Sequence, residues 1–304
     1  MGAAVLRVVP AIPGARLRGA PVAALLACAL AVAIALLGVP LDRPAVMLWC
    51  CAFALALTWH RTDRPKWALV ADWLPLALLL TAYDFSRGAA KDLGIHVHYL
   101  LPAQIDYWLT GTIPSVWLQQ HLYGSGFIRW WNVPLSLLYA SHFVLPYVVM
   151  AALWIRARPA FHAFTRRFIV LTAMALGFYA LDPTAPPWLD SSQLVIGPVT
   201  RTAALGWDQL HLRIASQLFQ TGDATFNVDA AFPSLHAAYP ALFVAFFWSA
   251  SKWPIRAVLV AYALAMGFML VLTGEHWVID VIGGWAAAGL ACWVTTRCEQ
   301  LRTR

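Results

Sequence analysis

The chain has 304 residues, of which 61% are hydrophobic and only 12% are charged. A soluble domain has roughly 45–50% apolar and about 25% charged residues, so this composition excludes an ordinary soluble protein and indicates an integral membrane protein. The formal net charge of +7 is spread over short basic clusters between apolar runs, which favours a positive-inside topology and indicates no nucleic-acid partner.

Apolar runs of nearly membrane length predict an all-α polytopic bundle of about eight transmembrane helices. In chain order, they span about Val22–Val39, Ala45–Trp59, Trp67–Tyr83, Val133–Ile155 and Phe168–Leu181, followed by a helix beginning near Pro233, then Ile255–Thr273 and Trp277–Thr296. The eighth run contains Gly283 and Gly284 followed by three alanines, which predicts a small-residue face for close helix packing.

Between the third and fourth runs, at residues 84–132, hydropathy is broken by Gly, Pro and polar groups among Trp and Tyr residues. Trp and Tyr concentrate at membrane interfaces, so this region predicts one or two interfacial amphipathic helices; the alternative is a large ordered loop. If the N-terminus is cytoplasmic, 15 of the 21 Lys and Arg residues fall on the cytoplasmic side. This asymmetry predicts a multi-pass plasma-membrane protein with both termini cytoplasmic.

Two segments that begin apolar runs carry the candidate chemistry, and in this topology both lie on the extracytoplasmic side. His276 and Asp280 are four residues apart, which on a helix brings them to one face, so that the carboxylate holds one ring nitrogen and leaves the other for chemistry. His236 would arrive from a neighbouring helix as general acid, with His276 as nucleophile. This arrangement predicts phosphoryl transfer through a histidine, without a metal or cofactor.

Ser234 follows Pro233 at a helix start, where free backbone N–H groups favour a phosphate, so Ser234 is a candidate substrate ligand. His142, within the fourth predicted helix, is a candidate for lining the substrate cavity, although a helix–helix hydrogen bond is the favoured role. His96 and His98 are two residues apart, but no carboxylate or cysteine completes a metal site there.

Pro-Ser-Leu-His at 233–236 and His-Trp-Val-Ile-Asp at 276–280 resemble two signature motifs of the type 2 phosphatidic acid phosphatase superfamily. Phe232 and the segment Tyr179–Trp188 make the chain more similar to the inositol phosphorylceramide synthase branch, the aureobasidin-target-like one. The resemblance runs from roughly Tyr83 to Trp285. It implies a catalytic membrane domain at residues 66–304, preceded at 1–65 by a tail and two helices.

The basic residues that hold the phosphate in the phosphatase branch are missing from their usual places, where this chain has Met269 and Leu270. A transferred phosphoryl group still needs positive charge around its oxygens. Arg87, Lys91 and Arg201 are the candidate cations on the extracytoplasmic side, and interfacial anchoring is an equally good account of any one of them.

The resemblance implies a phosphotransferase that moves an inositol-phosphate-like head group from a lipid donor to an alcohol acceptor. Two alternatives stay open. If water takes the place of the alcohol, the enzyme is a lipid phosphate phosphatase acting on a phosphatidic, prenyl or glycolipid phosphate. A transporter or scaffold with a degenerate site is disfavoured by the complete set of two histidines and an aspartate, and by the lack of an interrupted-helix repeat.

Overall fold

The structure is a computed structural model that describes residues 19–37, 43–60, 65–85, 94–193, 195–210 and 230–302. Within these ranges the chain is almost entirely helical, and its only extended pairings are isolated β-bridges that join Thr184 to His98 and to Ala230. The predicted all-α helix bundle is confirmed.

The described helices are, in chain order, α1 (Ala20–Leu37), α2 (Arg43–Thr58), α3 (Trp67–Phe85), α4 (Leu100–Thr110), α5 (Pro114–Leu122), α6 (Asn132–Arg156), α7 (Arg158–Leu181), α8 (Pro187–Ser192), α9 (Leu205–Gln209), α10 (Leu235–Phe247), α11 (Trp253–Leu272) and α12 (Val278–Arg302). A 3₁₀ turn, Trp248–Ala250, follows α10.

Four of the described helices, α6, α7, α11 and α12, are long and apolar enough to cross a membrane. Helices α1, α2, α3 and α10 are also apolar but have shorter apolar segments. These eight helices follow the order of the eight predicted runs, and they identify an integral membrane protein.

The main error in the predicted boundaries concerns α7, which begins at Arg158 rather than near Phe168. Proline is favoured in the first turn of a helix, and Pro159 occupies that position here. Arg166 and Arg167, predicted to lie in a connector, are inside the helix and pair with Glu299 of α12 at 2.7 and 3.1 Å. Because Glu299 pairs with both arginines, the otherwise apolar α7 can include them. Hydropathy by itself does not reveal this pairing.

Helix α10 lies at the centre of the bundle, in contact with α7, α11 and α12. Its approach to α12 depends on small residues, as predicted. A Cβ atom on Gly284 would overlap the carbonyl oxygen of Ser234, and one on Gly283 would overlap the ring of Phe232. Close packing of α10 on α12 therefore requires glycine at position 284, whereas Gly283 makes room for the Phe232 ring that precedes α10.

We expect Gly284→Leu to lower the stability of the purified protein by about 1–3 kcal/mol or more, because the new side chain has no room between the two backbones. Thermal unfolding in detergent measures the effect. Gly289→Leu on the same helix is the matched control, since a Cβ there meets nothing within 4 Å. Equal melting temperatures for the two variants would contradict the close α10–α12 contact.

Two short helices, α4 and α5, account for the predicted interfacial region, and Trp108, Trp117 and Trp130 around them are exposed. The region is more than an interfacial belt, however. The side-chain amide of Gln119 is buried, donates to the carbonyls of Thr200 and Leu272 at 2.8 and 2.9 Å, and accepts from Thr200 N–H. Helix α5 is therefore tied to the end of α11, next to the second histidine segment.

Candidate active site

The two histidines of the candidate site meet across the interface of α10 with the turn before α12. His236 lies in the first turn of α10, and His276 lies two residues before α12 begins. Nε2 of His276 is 3.3 Å from Nδ1 of His236. The structure thus brings together two predicted site residues that are 40 positions apart in the chain.

Asp280 orients His276 from the other side of the ring. Its Oδ2 is 3.3 Å from Nδ1 of His276 and accepts the backbone N–H of Trp277 at 2.9 Å. The carboxylate is completely buried. Asp280 and His276 are in contact, but not as two side chains on one face of a helix, which was the prediction. His276 precedes α12, and Asp280 reaches back to it from the first turn of α12.

The tight turn that carries His276 is built around Gly274. Gly274 has φ +75°, a left-handed conformation that favours glycine, and a Cβ there would also approach Val199 closely. The N–H groups of Glu275 and His276 both donate to the carbonyl of Leu270, which closes the end of α11. The chain therefore leaves α11 in a fixed direction that presents His276 to His236.

Asp106 of α4 is a site residue that the sequence analysis missed. Its two carboxyl oxygens accept the backbone N–H groups of Val278 and Ile279 at 2.8 and 2.9 Å, so it caps the start of α12. Asp106 is fully buried, and this burial raises its pKa to about 6. The only clue in the sequence was that Asp106 is the lone acidic residue of an apolar helix. Its partner could not be identified, because it lies more than 170 residues away in the chain.

Removing the Asp106 cap is expected to displace the first turn of α12 and with it Asp280. We expect Asp106→Ala to lower kcat about tenfold or more with a smaller change in KM, because two buried N–H groups lose their acceptor, at about 1–3 kcal/mol each. Steady-state kinetics with a lipid phosphate donor test this. Asp208→Ala, at an exposed position of α9, is the control, and equal kcat values in both variants would refute a positioning role for Asp106.

Asp190 of α8 is a second buried acid whose pKa is affected by the charge of Asp280. Burial, with the charge of Asp280 as a smaller cause, raises the pKa of Asp190 to about 8. Neither of its carboxyl oxygens has a hydrogen-bond partner among the described residues. A protonated Asp190 adds no negative charge to this region near neutral pH.

Ser234 and the segment before it join the two histidine regions. The Ser234 hydroxyl is buried and caps α10 by accepting the N–H of Ala237 at 3.2 Å, while its own N–H donates to the Asp280 carbonyl at 3.0 Å. These contacts make Ser234 a structural link between α10 and α12. Its predicted contact with substrate stays a prediction.

The proline-rich segment at residues 182–188 packs against the segments of both histidines. The Trp277 indole N–H donates to the carbonyl of Ala185 at 2.8 Å, and the Phe232 N–H donates to Oγ1 of Thr184 at 2.8 Å. Nearby, the Tyr179 hydroxyl donates to the carbonyl of Pro233 at 2.7 Å. The segment therefore fixes the positions of the two histidine-bearing turns relative to each other.

A small cavity of about 90 Å³ opens at the histidine pair. A cavity of this size holds several water molecules and so admits a phosphate-sized group, with the remainder of a lipid outside it. Its lining combines the two histidines with cationic, acidic and aromatic side chains, among them Arg43, Arg201, Glu275, Tyr83, Tyr139, Tyr179 and Trp188.

Two arginines bring positive charge to this cavity. Arg201, a predicted candidate, lines it and forms a bidentate ion pair with Glu275 at 2.6 and 2.9 Å, stacked over the ring of Trp188. Arg43, at the start of α2, was not predicted; its guanidinium lies 4.3 Å from the centre of the Tyr83 ring and also faces the cavity. A residue of the N-terminal 1–65 region therefore contributes to the wall of the site.

Arg201 is the only one of the three predicted cations that lies among the described residues. Arg87 and Lys91 lie outside the described residues. Arg129 donates to the carbonyl of Tyr123 at 2.6 Å, within its own loop. His98, considered for a metal, pairs instead with Asp182 at 2.9 Å.

His142 of α6 is buried against His236, with ring centres 3.9 Å apart, and stacks on Tyr239 on its other side. It lines the cavity, in the position that the sequence analysis considered for a substrate contact. Its Nδ1 has no hydrogen-bond partner among the described residues, so the favoured helix–helix hydrogen bond through that atom is not seen there. The ring instead limits the rotation of His236.

Comparison with protein families identifies the superfamily of the chain. A family model described as PAP2 superfamily matches residues 105–294, which is more than half of the chain. The chain belongs to the PAP2 superfamily. The matched segment includes His236, His276 and Asp280 but stops short of Arg43. No curated protein and no solved structure matches the chain significantly.

Members of the PAP2 superfamily are typically phosphatases or phosphotransferases, so a lipid phosphate activity of this general kind is supported for the chain. The superfamily resemblance seen in the sequence is confirmed. The match does not extend to a particular branch, and the inositol phosphorylceramide synthase-like assignment stays a prediction.

Proposed function

We propose that this PAP2 superfamily member is a membrane phosphotransferase that moves a phosphorylated head group, inositol-phosphate-like in size, from a lipid donor to an alcohol acceptor. The observation that carries the proposal is the position of His276 between Asp280 and His236, with Nδ1 bonded to the carboxylate and Nε2 facing the second ring. This geometry supports a phosphohistidine intermediate.

The hydrogen bonds support one assignment of the protons before reaction. Asp280 accepts from Nδ1–H of His276, which leaves a lone pair on Nε2. The partner at 3.3 Å, Nδ1 of His236, therefore carries the proton between the two rings. The two nitrogens are in direct contact at 3.3 Å, so the rings must separate to admit a phosphate, which then meets a nucleophile on one side and an acid on the other.

In the first half-reaction, Nε2 of His276 attacks phosphorus, and the bond from phosphorus to the lipid alcohol breaks. His236 acts as an imidazolium in this step: its Nδ1 proton passes to the departing oxygen and leaves a neutral ring, while Asp280 stabilises the cationic His276. In the second, His236 takes the proton of an acceptor hydroxyl as that oxygen attacks phosphorus and the phosphorus–nitrogen bond breaks. Water as acceptor gives the phosphatase alternative.

In the phosphatase branch, basic residues that hold the phosphate stand where this chain has Met269 and Leu270. Here Arg43 and Arg201 supply that positive charge instead. Both line the cavity of the histidine pair. Because a phosphoryl group in transfer carries charge on its non-bridging oxygens, guanidinium groups are suited to hold it bidentately. Phosphate binding by Arg201 requires exchange with, or sharing of, the Glu275 carboxylate.

The orientation we propose has the site outside the plasma membrane and both termini in the cytoplasm. Arginines of α7, α11 and α12 gather at the bundle end remote from His276, and they include Arg158, Arg166, Arg167, Arg256, Arg297 and Arg302. Since basic residues concentrate on the cytoplasmic side of membranes, this distribution supports an extracytoplasmic active site.

The proposed function is tested with purified protein in detergent, given a mixture of head-group-labelled phospholipids with and without alcohol acceptors. Labelled head group on an acceptor, dependent on His276, is the expected result. Free phosphate or free phospho-head group alone would instead assign a phosphatase. Activity that survives in His276→Ala, His236→Ala and Asp280→Asn would overturn the mechanism.

We expect Arg43→Gln to lower kcat/KM about 10²-fold, the order found when one donor to a developing anion is removed. Arg43→Lys should recover part of the loss, because the charge is retained but the bidentate geometry is not. Kinetics with a lipid phosphate donor measure both. Arg297→Gln, at the far end of α12, is the control, and wild-type kinetics in Arg43→Gln would exclude a phosphate contact.

A further inference from the structure

A second cavity lies at the opposite end of the bundle, between α7, α10 and α12. Its volume is about 820 Å³, within the range of roughly 300–1,000 Å³ common for small-molecule sites. Glu299, on its wall, is about 28 Å from Asp280 along α12 at 1.5 Å per residue. Because a bilayer core is about 30 Å thick, the two cavities open toward opposite membrane surfaces.

The wall of this second cavity changes from polar to apolar with depth. Arg166, Glu299 and Arg302 lie nearer the ends of α7 and α12, whereas Val170 lies about one turn and Cys292 about two turns farther into the bundle, and the ring of Phe246 lies beside Arg167. A phospholipid has the same order, with a charged head group at the membrane surface and acyl chains beneath it. The cavity therefore matches a lipid in polarity as well as in depth.

The polar part of the cavity has an excess of positive charge. Arg166 and Arg167 share one carboxylate, that of Glu299, at 2.7 and 3.1 Å, and Arg302 adds a third guanidinium to the lining. One acid cannot neutralise three arginines. Basic pockets between transmembrane helices near the membrane surface are suited to anionic lipid head groups.

We propose that this cavity binds an anionic glycerophospholipid from the leaflet opposite the active site. The phosphate contacts Arg166 and Arg302, and part of an acyl chain occupies the apolar wall. The site is separate from the His276 cavity in position and in lining residues. The proposal depends on the membrane location of the chain and not on the proposed phosphotransfer reaction.

Native mass spectrometry of the full chain in detergent tests the site, with a His276→Ala background in every arm to prevent turnover. The probes are dioleoyl phosphatidylglycerol, dioleoyl phosphatidylcholine and dioleoylglycerol. We expect one tightly held phosphatidylglycerol, and about 20-fold weaker binding when Arg166→Gln and Arg302→Gln are combined, from the loss of two basic contacts. Arg256→Gln, an arginine at the same bundle end outside the cavity, should bind like the parent.

Three outcomes would overturn the proposal: equal affinity for the three lipids, unchanged affinity in the double variant, or a loss of binding in Arg201→Gln instead. The last would assign the lipid to the His276 cavity. A bound second copy of the chain in place of lipid would assign the surface to dimerisation.

A measurement on the native side chains covers the case in which the double variant does not fold. Cys298 is exposed and lines the cavity, whereas Cys28 on α1 is exposed elsewhere. Phosphatidylglycerol should slow maleimide labelling of Cys298 several-fold relative to phosphatidylcholine and leave Cys28 unchanged. Equal labelling of Cys298 in both lipids would contradict the site.

Discussion

Replacing His276 by alanine is expected to lower the rate of head-group release by about 10⁴-fold or more, which is the order of the rate loss when a catalytic nucleophile is removed. No other ring nitrogen in the described part of the chain has both a buried carboxylate behind it and a second histidine in front. The protein should also fail to retain label from a donor labelled on phosphorus, which rapid quench in alkaline detergent and gel analysis measure, because the phosphorus–nitrogen bond of phosphohistidine survives in alkali.

The matched variants separate the nucleophile from the acid. His236→Ala should lose activity on ordinary lipid donors by about 10²–10⁴-fold but recover much of it with a nitrophenyl ester, whose leaving group needs no proton. His276→Ala should not recover with that substrate. His121→Ala, on exposed α5, controls for the loss of an imidazole. Label bound to His276→Ala as in the wild type would assign the nucleophile to another residue.

Asp280→Asn is expected to lower kcat by about 10³–10⁴-fold, because the amide no longer holds the proton of His276 on Nδ1. With the other tautomer, Nε2 carries the proton and has no lone pair for phosphorus. The buried Oδ2 also accepts the N–H of Trp277, so the substitution disturbs the turn as well as the ring. Single-turnover kinetics, which isolate phosphorylation of the enzyme, measure the effect.

Asp72→Asn is the control for this second prediction. Asp72 is another buried carboxylate, but it lies at the far end of the bundle, bonded to Arg158 and to the indole of Trp154. Its substitution should lower thermal stability and leave the single-turnover rate nearly unchanged. If both variants lost stability and rate in parallel, the effect of Asp280→Asn would be structural, and the role of Asp280 in orienting His276 would be rejected.

The boundaries of α3 and α12 illustrate how well local pattern predicts a membrane helix. An apolar run that starts at Trp67 was predicted there, and α3 begins at that residue. The predicted start of the last helix is one residue before the observed Val278. By contrast, α7 was predicted too short, because the charges of Arg166 and Arg167 are balanced by Glu299, a residue from the other end of the sequence.

The amino-acid sequence by itself determined the membrane class, the order of the apolar helices and the four-residue spacing of His276 and Asp280. These depend on composition and short spacings, which act within a few helical turns. Only the tertiary structure decided that Asp106 caps α12 and that Arg43 faces the histidines, because each contact joins distant helices. A buried charge is stable only beside a partner, and which partner it meets depends on how the helices pack.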